Sequence, residues 1–411
     1  MNIKKTSLLS LGSALIGAAI FPSATHAAPL VSVGDNVDIF FNGSSSLRWT
    51  SNVFRDENNE QDDLIWSVTP GFDINVGRGL SNADLSIITR YDIVRYQDLD
   101  QLDTELFHIK AVGSYQSSRL DLNASIGFDE VKSSTGDVNV QDLIEWNDFS
   151  ARLDAEYSIS PKLSIGSGVN YKDREYQTYE EYFADLETIT VPLDVFYELT
   201  PKVDLSLGYA YTKTEVGETN SPTGFRYVSD YETESHFFNV GARGNLLPKL
   251  SGFFKVGYRV RDADDSTIQP LGLDGLPSGA PFSTNRDSTG MLGLDANFTW
   301  TATPKITARL DLSRDFGVGG EGTTTENSRI GTSVNYSIDT NWSATANLAY
   351  TLHEYDGNRE DHQYNLGARL SYVPNQYWRF SGGYNYITND SNVDDRGYEN
   401  HMLDLSVNLR Y

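Results

Sequence analysis

The sequence predicts an all-β protein, a transmembrane antiparallel up-and-down β-barrel of about 18 strands. Three observations carry that prediction. Apolar and polar residues alternate along segment after segment, which is the period of a strand with one face in lipid and the other in water. Connections alternate between short turns, several containing Pro, and longer acidic or Gly-rich loops, as in single-chain membrane barrels. No helical period of 3.6 competes over any comparable length.

The alternation is plainest in the last stretch, HMLDLSVNLRY at 401–411. Leu403, Leu405, Val407, Leu409 and Tyr411 share one face; Asp404, Ser406, Asn408 and Arg410 share the other. A terminal aromatic at an apolar-facing position resembles the closing signal of bacterial outer-membrane barrels. Leu405, Val407, Leu409 and Tyr411 are therefore the candidate insertion signal, to be read by the barrel-assembly machinery.

At the other end, Lys4 and Lys5 precede an apolar run from Leu8 to Phe21, then Thr25, His26 and Ala27. Residues 1–27 thus read as a secretory signal peptide, its apolar run being too short for a membrane span. Residues 28–44 read as a short periplasmic segment, and 45–411 as the barrel. The absence of Cys excludes disulfides and thiolate metal ligands. Mean hydropathy is −0.42, compatible with a membrane barrel because only alternate residues face lipid. A formal net charge of −25 argues against nucleic acid as a partner.

In chain order, the first strand is expected over 45–54, with Leu47, Trp49 and Val53 in alternation. After an acidic loop, 64–76 places Leu64, Trp66, Val68, Phe72, Ile74 and Val76 on one face. Pro70 within it implies a bulge or a position without a ladder hydrogen bond. The segment 83–96 turns Leu85, Ile87, Tyr91 and Ile93 outward. The same design then repeats to the C terminus. Proline-containing turns at Ser160-Pro161-Lys162, Thr200-Pro201-Lys202, Leu247-Pro248-Lys249 and Thr303-Pro304-Lys305 mark hairpin ends, with looser versions at 339–341 and 373–375. Outward aromatics near strand ends, Tyr91, Tyr171 and Tyr211 toward the loops and Tyr157, Tyr197 and Trp300 toward the turns, form two interfacial girdles. The longest loop, about 261–285, could cover or fold into the mouth. The Gly-rich run 317–322 (GVGGEG) reads as a flexible loop, with no strand-helix context for a nucleotide site.

The inward row carries the charges. Candidate lumen-lining residues are Arg90, Arg152, Lys172, Arg243, Lys255, Arg259, Arg309, Arg329, Arg369, Arg379, Asp154, Asp194, Asp295 and Asp311. Such a wall is hydrated and favours polar solutes; alternatively its charges pair across strands and only stabilise the wall. The two signs are near balance, so selectivity by sign is left open. Catalysis finds no support, since the histidines are scattered and no nucleophile, carboxylate-pair or phosphate-loop motif occurs. No cofactor and no metal are expected.

One stretch carries a family resemblance. Ser51-Asn52-Val53-Phe54-Arg55, followed by Asp63-Leu64-Ile65-Trp66-Ser67-Val68-Thr69-Pro70-Gly71-Phe72, resembles the Putative beta-barrel porin 2 family, in which an SNVFR-like stretch precedes a strand with a V-x-P-G-hydrophobic run. The resemblance implies an integral outer-membrane barrel linked to exopolysaccharide secretion, paired with a periplasmic polysaccharide-export protein. It implies no catalytic residues. The reading is then a conduit passing a hydrophilic polymer, an exopolysaccharide as the resemblance implies, outward through outer-membrane lipid and lipopolysaccharide. A general diffusion porin and a surface adhesion barrel are the alternatives.

Overall fold

The computed structural model describes residues 29–77, 82–135, 141–220, 226–272, 276–284, 286 and 288–411. The signal-peptide segment 1–27 lies outside them. Eighteen long strands form the wall: β1 (Val37–Thr50), β2 (Asp63–Val76), β3 (Ala83–Tyr96), β4 (Thr104–Gln116), β5 (Leu120–Ser133), β6 (Ile144–Ser160), β7 (Leu163–Tyr176), β8 (Leu186–Thr200), β9 (Val203–Val216), β10 (Tyr231–Leu247), β11 (Leu250–Ala263), β12 (Thr289–Thr303), β13 (Ile306–Val318), β14 (Thr324–Ser337), β15 (Trp342–Tyr355), β16 (Glu360–Tyr372), β17 (Trp378–Ser391) and β18 (Tyr398–Arg410). Each pairs antiparallel with the next in sequence, and β1 pairs with β18 to close the ring.

The closing seam runs from Asn42↔Arg410 to Thr50↔Met402. It is finished by Tyr411, whose N–H donates to the Phe41 carbonyl at 2.8 Å and whose carbonyl accepts from the Phe41 N–H at 2.6 Å. Closure leaves no free edge, the one way a sheet can sit in hydrocarbon with its backbone groups satisfied. The outer face is apolar and bare: Leu207, Leu292 and Leu405 are 64%, 60% and 66% exposed. Such a band is stable only against lipid tails. Among the described residues no helix is long and apolar enough to cross a membrane.

The first strand differs from expectation. It begins at Val37, so residues 37–44, read as a periplasmic lead-in, belong to the wall, and 51–54 leave the strand. The reason is cross-strand support: Ile39↔Ile74 and Phe41↔Phe72 continue the outward row below the Ser/Gly-rich middle of β1, where alternation is too weak to read. Pro70 makes no bulge. The β2–β3 register is unshifted, and the ladder simply skips 69–70 on that side, as a missing N–H requires.

Short turns follow the even strands. At all four Pro-Lys turns the register shifts in the last pairs, at Ser158/Ser160, Val203/Asp204, Gly244/Leu247 and Thr301/Thr303. A side-chain oxygen caps most of these turns. Thr200 Oγ1 accepts from Val203 N–H at 3.1 Å, Thr303 Oγ1 from Ile306 N–H at 3.1 Å, and Asn375 Oδ1 from Trp378 N–H at 3.1 Å. Asp339 Oδ1 accepts from both Asn341 and Trp342 N–H, at 2.7 and 2.8 Å, and these bonds hold its carboxyl below the usual range.

Longer loops follow most odd strands, but against expectation the connections after β13 and β15, 319–323 and 356–359, are as short as the turns. The 261–285 region does not stay irregular: residues 267–270 pair with 226–228 and with 282–283, and 226–228 pair with 219–220, forming a small second sheet.

Candidate transport lumen

Register places every candidate lumen residue on the inward face. Along β8, for example, Leu193, Val195 and Tyr197 are exposed to the outside while Asp194 and Phe196 are buried within. What the charges do inside divides the ring into two sectors.

From β6 to β12 the inner wall is closely packed. Lys255 on β11 donates to both carboxylate oxygens of Asp194 on β8, at 2.7 and 2.8 Å. Arg243 on β10 reaches Glu156 on β6 with two bonds of 2.7 and 2.6 Å, and Asp204 at 3.1 Å. Four strand spacings are about 19 Å along a wall, so a direct Arg–Glu contact requires that wall to curve sharply inward. Glycine makes room: a Cβ on Gly208 would sit 2.3 Å from Asp194 Oδ1, and one on Gly166 3.0 Å from the Phe196 ring. Two rings floor the cations, with the Arg243 guanidinium 3.5 Å from the centre of Phe196 and Arg259 3.7 Å from Phe237. Arg259 also pairs with Asp295 at 2.8 Å, and Arg152 with Asp154 at 2.5 Å.

The inward aromatics Phe196, Phe237 and Phe253 were not legible as lumen residues. Each precedes an outward apolar residue, so Phe196-Tyr197, Phe237-Phe238 and Phe253-Phe254 blur the alternation. An aromatic doublet breaking an otherwise clean period of two is the signal that could have found them.

From β13 through β18 and on to β5 the inner face is open. Arg90, Lys110, Asp311, Asn335, Asn347 and Arg369 are exposed on it. Arg369 pairs with Asp404 at 2.9 Å and Arg410 with Asp73 at 3.6 Å. Asp311 accepts a hydrogen bond from Asn297 Nδ2. Arg329 donates to Thr351 Oγ1 at 3.2 Å, and Arg379 stands at the turn end of β17. Lys172 on β7 is exposed at the margin of the packed sector. Asn335 donates to Thr345 at 3.0 Å, part of an amide and hydroxyl lining on β14–β16 that continues through Asn347 and Asn365.

At the loop end the connections knit together. Ala184 N–H, between β7 and β8, donates to Gly320 O, between β13 and β14, at 3.0 Å. Glu321 on the same short loop pairs with Arg396, between β17 and β18, at 2.9 Å. These links join points four to six strands apart, so they are chords across the mouth. The GVGGEG run expected to be flexible is their hub: Gly322 has φ +72, and a Cβ there would lie 3.2 Å from Ala184 and 3.3 Å from Val216. Asn58 links to Asp395 at 2.6 Å on the other flank, and the Tyr179 hydroxyl donates to Asp142 at 2.8 Å, which raises the phenol above its ordinary pKa.

The stretch that carries the family resemblance anchors this assembly. Asn52, fully buried, donates to the carbonyls of Asp56 at 2.8 Å and Glu399 at 3.1 Å, tying the first loop to the last strand. Asp63, 2% exposed, accepts from the N–H groups of Gln97 at 3.0 Å and Leu99 at 2.9 Å, fixing the second loop beside it.

A closed ring with a bare apolar exterior, a polar interior and the start of β1 and the end of β18 at its short-turn rim defines an outer-membrane β-barrel of the porin class. The chain belongs to the Putative beta-barrel porin 2 family, whose model matches residues 42–280 and 284–411. No curated protein matches the chain. Similar solved structures include the ferric-catecholate import receptor Fiu from E. coli K12, with a TM-score of 0.45 at 11% identity, covering 94% of this chain and 82% of that one. They also include Pseudomonas aeruginosa OpdK with vanillate (TM-score 0.42, 9% identity, 91% and 99% covered) and a bacterial polysaccharide outer membrane secretin (0.36, 10%, 91% and 98%).

Proposed function

We propose that the barrel is a conduit through which a hydrophilic polymer, an exopolysaccharide, leaves the periplasm for the cell surface. The observation that carries this reading is the open sector of the lumen, where the amides and hydroxyls of Asn335, Thr345, Asn347 and Asn365 line the wall in adjoining register. Sugar hydroxyls exchange hydrogen bonds with such groups one at a time. Each bond is worth about 1 kcal/mol net, so a chain held by a few of them is guided and still slides. The wall carries no machinery for driving transport, so flux comes from synthesis behind it. Lipopolysaccharide around the outer rim, the barrel-assembly machinery at the C-terminal strand and a periplasmic polysaccharide-export protein at the turn end are the partners this role entails.

Passage of small solutes is the competing reading, favoured by the family's porin designation. The two separate in a deletion strain. A polymer conduit predicts loss of secreted polysaccharide with uptake of small sugars unchanged. Unchanged secretion together with slowed sugar uptake rejects the conduit.

A further inference from the structure

Many inward cations of this barrel are neutralised; among the described residues Arg48 on β1 and Lys172 on β7 stand singly without a carboxylate in ion-pair contact, and four others form two groups. Arg90 on β3 and Lys110 on β4 form one group, diagonal neighbours in the β3–β4 ladder. Arg309 on β13 and Arg329 on β14, opposite Ser333 and Ser313 with Asp311 in the row between them, form a looser second group. Among the described residues no carboxylate lies in ion-pair contact with any of the four, whereas Arg152, Arg243, Lys255, Arg259 and Arg369 each have one. The acids nearest in sequence stop short of ion-pair contact: Asp92 accepts from Thr69 at 2.6 Å and faces His108 at 3.3 Å while feeling the Arg90 charge, and Asp311 accepts from the Asn297 amide.

Placement matters as much as pairing. β3 and β13 stand ten places apart in a ring of 18, close to diametrically opposed. Arg90, Lys110 and Arg329 lie near mid-strand and Arg309 closer to the turn end. The packed sector from β6 to β12 lies to one side, so a solute in the open sector passes between the two cationic groups. A low-dielectric wall focuses their field on the path, and at physiological salt each acts over about 8 Å.

Resting on the conduit reading, we infer that the cargo is anionic, a polymer bearing carboxylate, sulfate or phosphate groups, and that Arg90, Lys110, Arg309 and Arg329 are its guides. Guanidinium and ammonium groups left unpaired in a hydrated channel bind such groups reversibly, since water screens each contact and none is buried. The acidic loops beyond the wall, with Glu57, Glu60, Asp62 and Asp98 among them, repel the same polymer, so attraction is confined to the lumen.

The test uses the full barrel in detergent micelles, with fluorescent dextran sulfate and neutral dextran of matched length as probes. Dextran sulfate is expected to bind, with affinity falling as salt rises, and neutral dextran to bind more weakly. The quadruple variant Arg90→Gln, Lys110→Gln, Arg309→Gln, Arg329→Gln should weaken dextran sulfate binding about tenfold or more, with heat-modifiable gel mobility showing that the barrel is intact. A variant with lysine at the three arginine positions should keep most of the binding and serves as the control for a misfolded barrel. Equal affinity for both polymers, or binding indifferent to the four substitutions, overturns the inference and leaves the conduit standing. Continued polymer secretion by the deletion strain removes the conduit and leaves the binding result intact.

Discussion

Single residues in this barrel act through what they leave behind when removed. Asp194 is 2% exposed and holds the ammonium of Lys255, itself nearly enclosed. Replacing Asp194 with Ala strands a buried cation, and breaking a buried pair from one side costs about 3–5 kcal/mol. Urea unfolding in lipid vesicles should show a destabilisation of that order, largely recovered when Lys255→Met is added. By contrast, Arg369 shares Asp404 in the open sector at 47% side-chain exposure, where loss of a hydrated pair changes stability little. The sequence marked all these residues as inward because side-chain direction follows position along the strand. It left open which of them pair, since Lys255 and Asp194 meet over two intervening strands.

Among elements, the hairpins were the most legible part of the chain. Proline and small polar residues set the turns locally, so their positions follow from the amino acids within them. The turn at 339–341 gives a prediction of its own. With its carboxyl held below the usual range by the Asn341 and Trp342 amides, Asp339 contributes stability above the unfolded-state value of about 3.9 and loses it as pH falls further, through the lower folded-state value. Protection of the Trp342 amide, taken relative to its intrinsic exchange rate, should fall in acid below that range, and Asp339→Ala should abolish that fall. Loops were less legible. Their order comes from contacts with other loops, as when Gly320 accepts from Ala184 and Glu321 meets Arg396. A Gly-rich run looks mobile in isolation because nothing near it in sequence supplies those partners.

For the whole molecule, the mouth is the feature with the sharpest consequence. The chords through Gly320 and Glu321 narrow an opening that the wall alone would leave wide. Arg396→Glu sets two carboxylates against each other at that point, and single-channel conductance should rise as the last loop swings clear. Pairing it with Glu321→Arg should restore the original conductance; an unchanged current in the single variant would show that the chord does not limit flow. The amino-acid sequence by itself determined the class of fold, the facing of nearly every strand residue and the turn positions, because a period of two and a proline are local facts. Only the tertiary structure decided the packed sector, the loop hub and the unpaired cations. Each depends on how tightly the wall curves, and curvature is set by the ring as a whole.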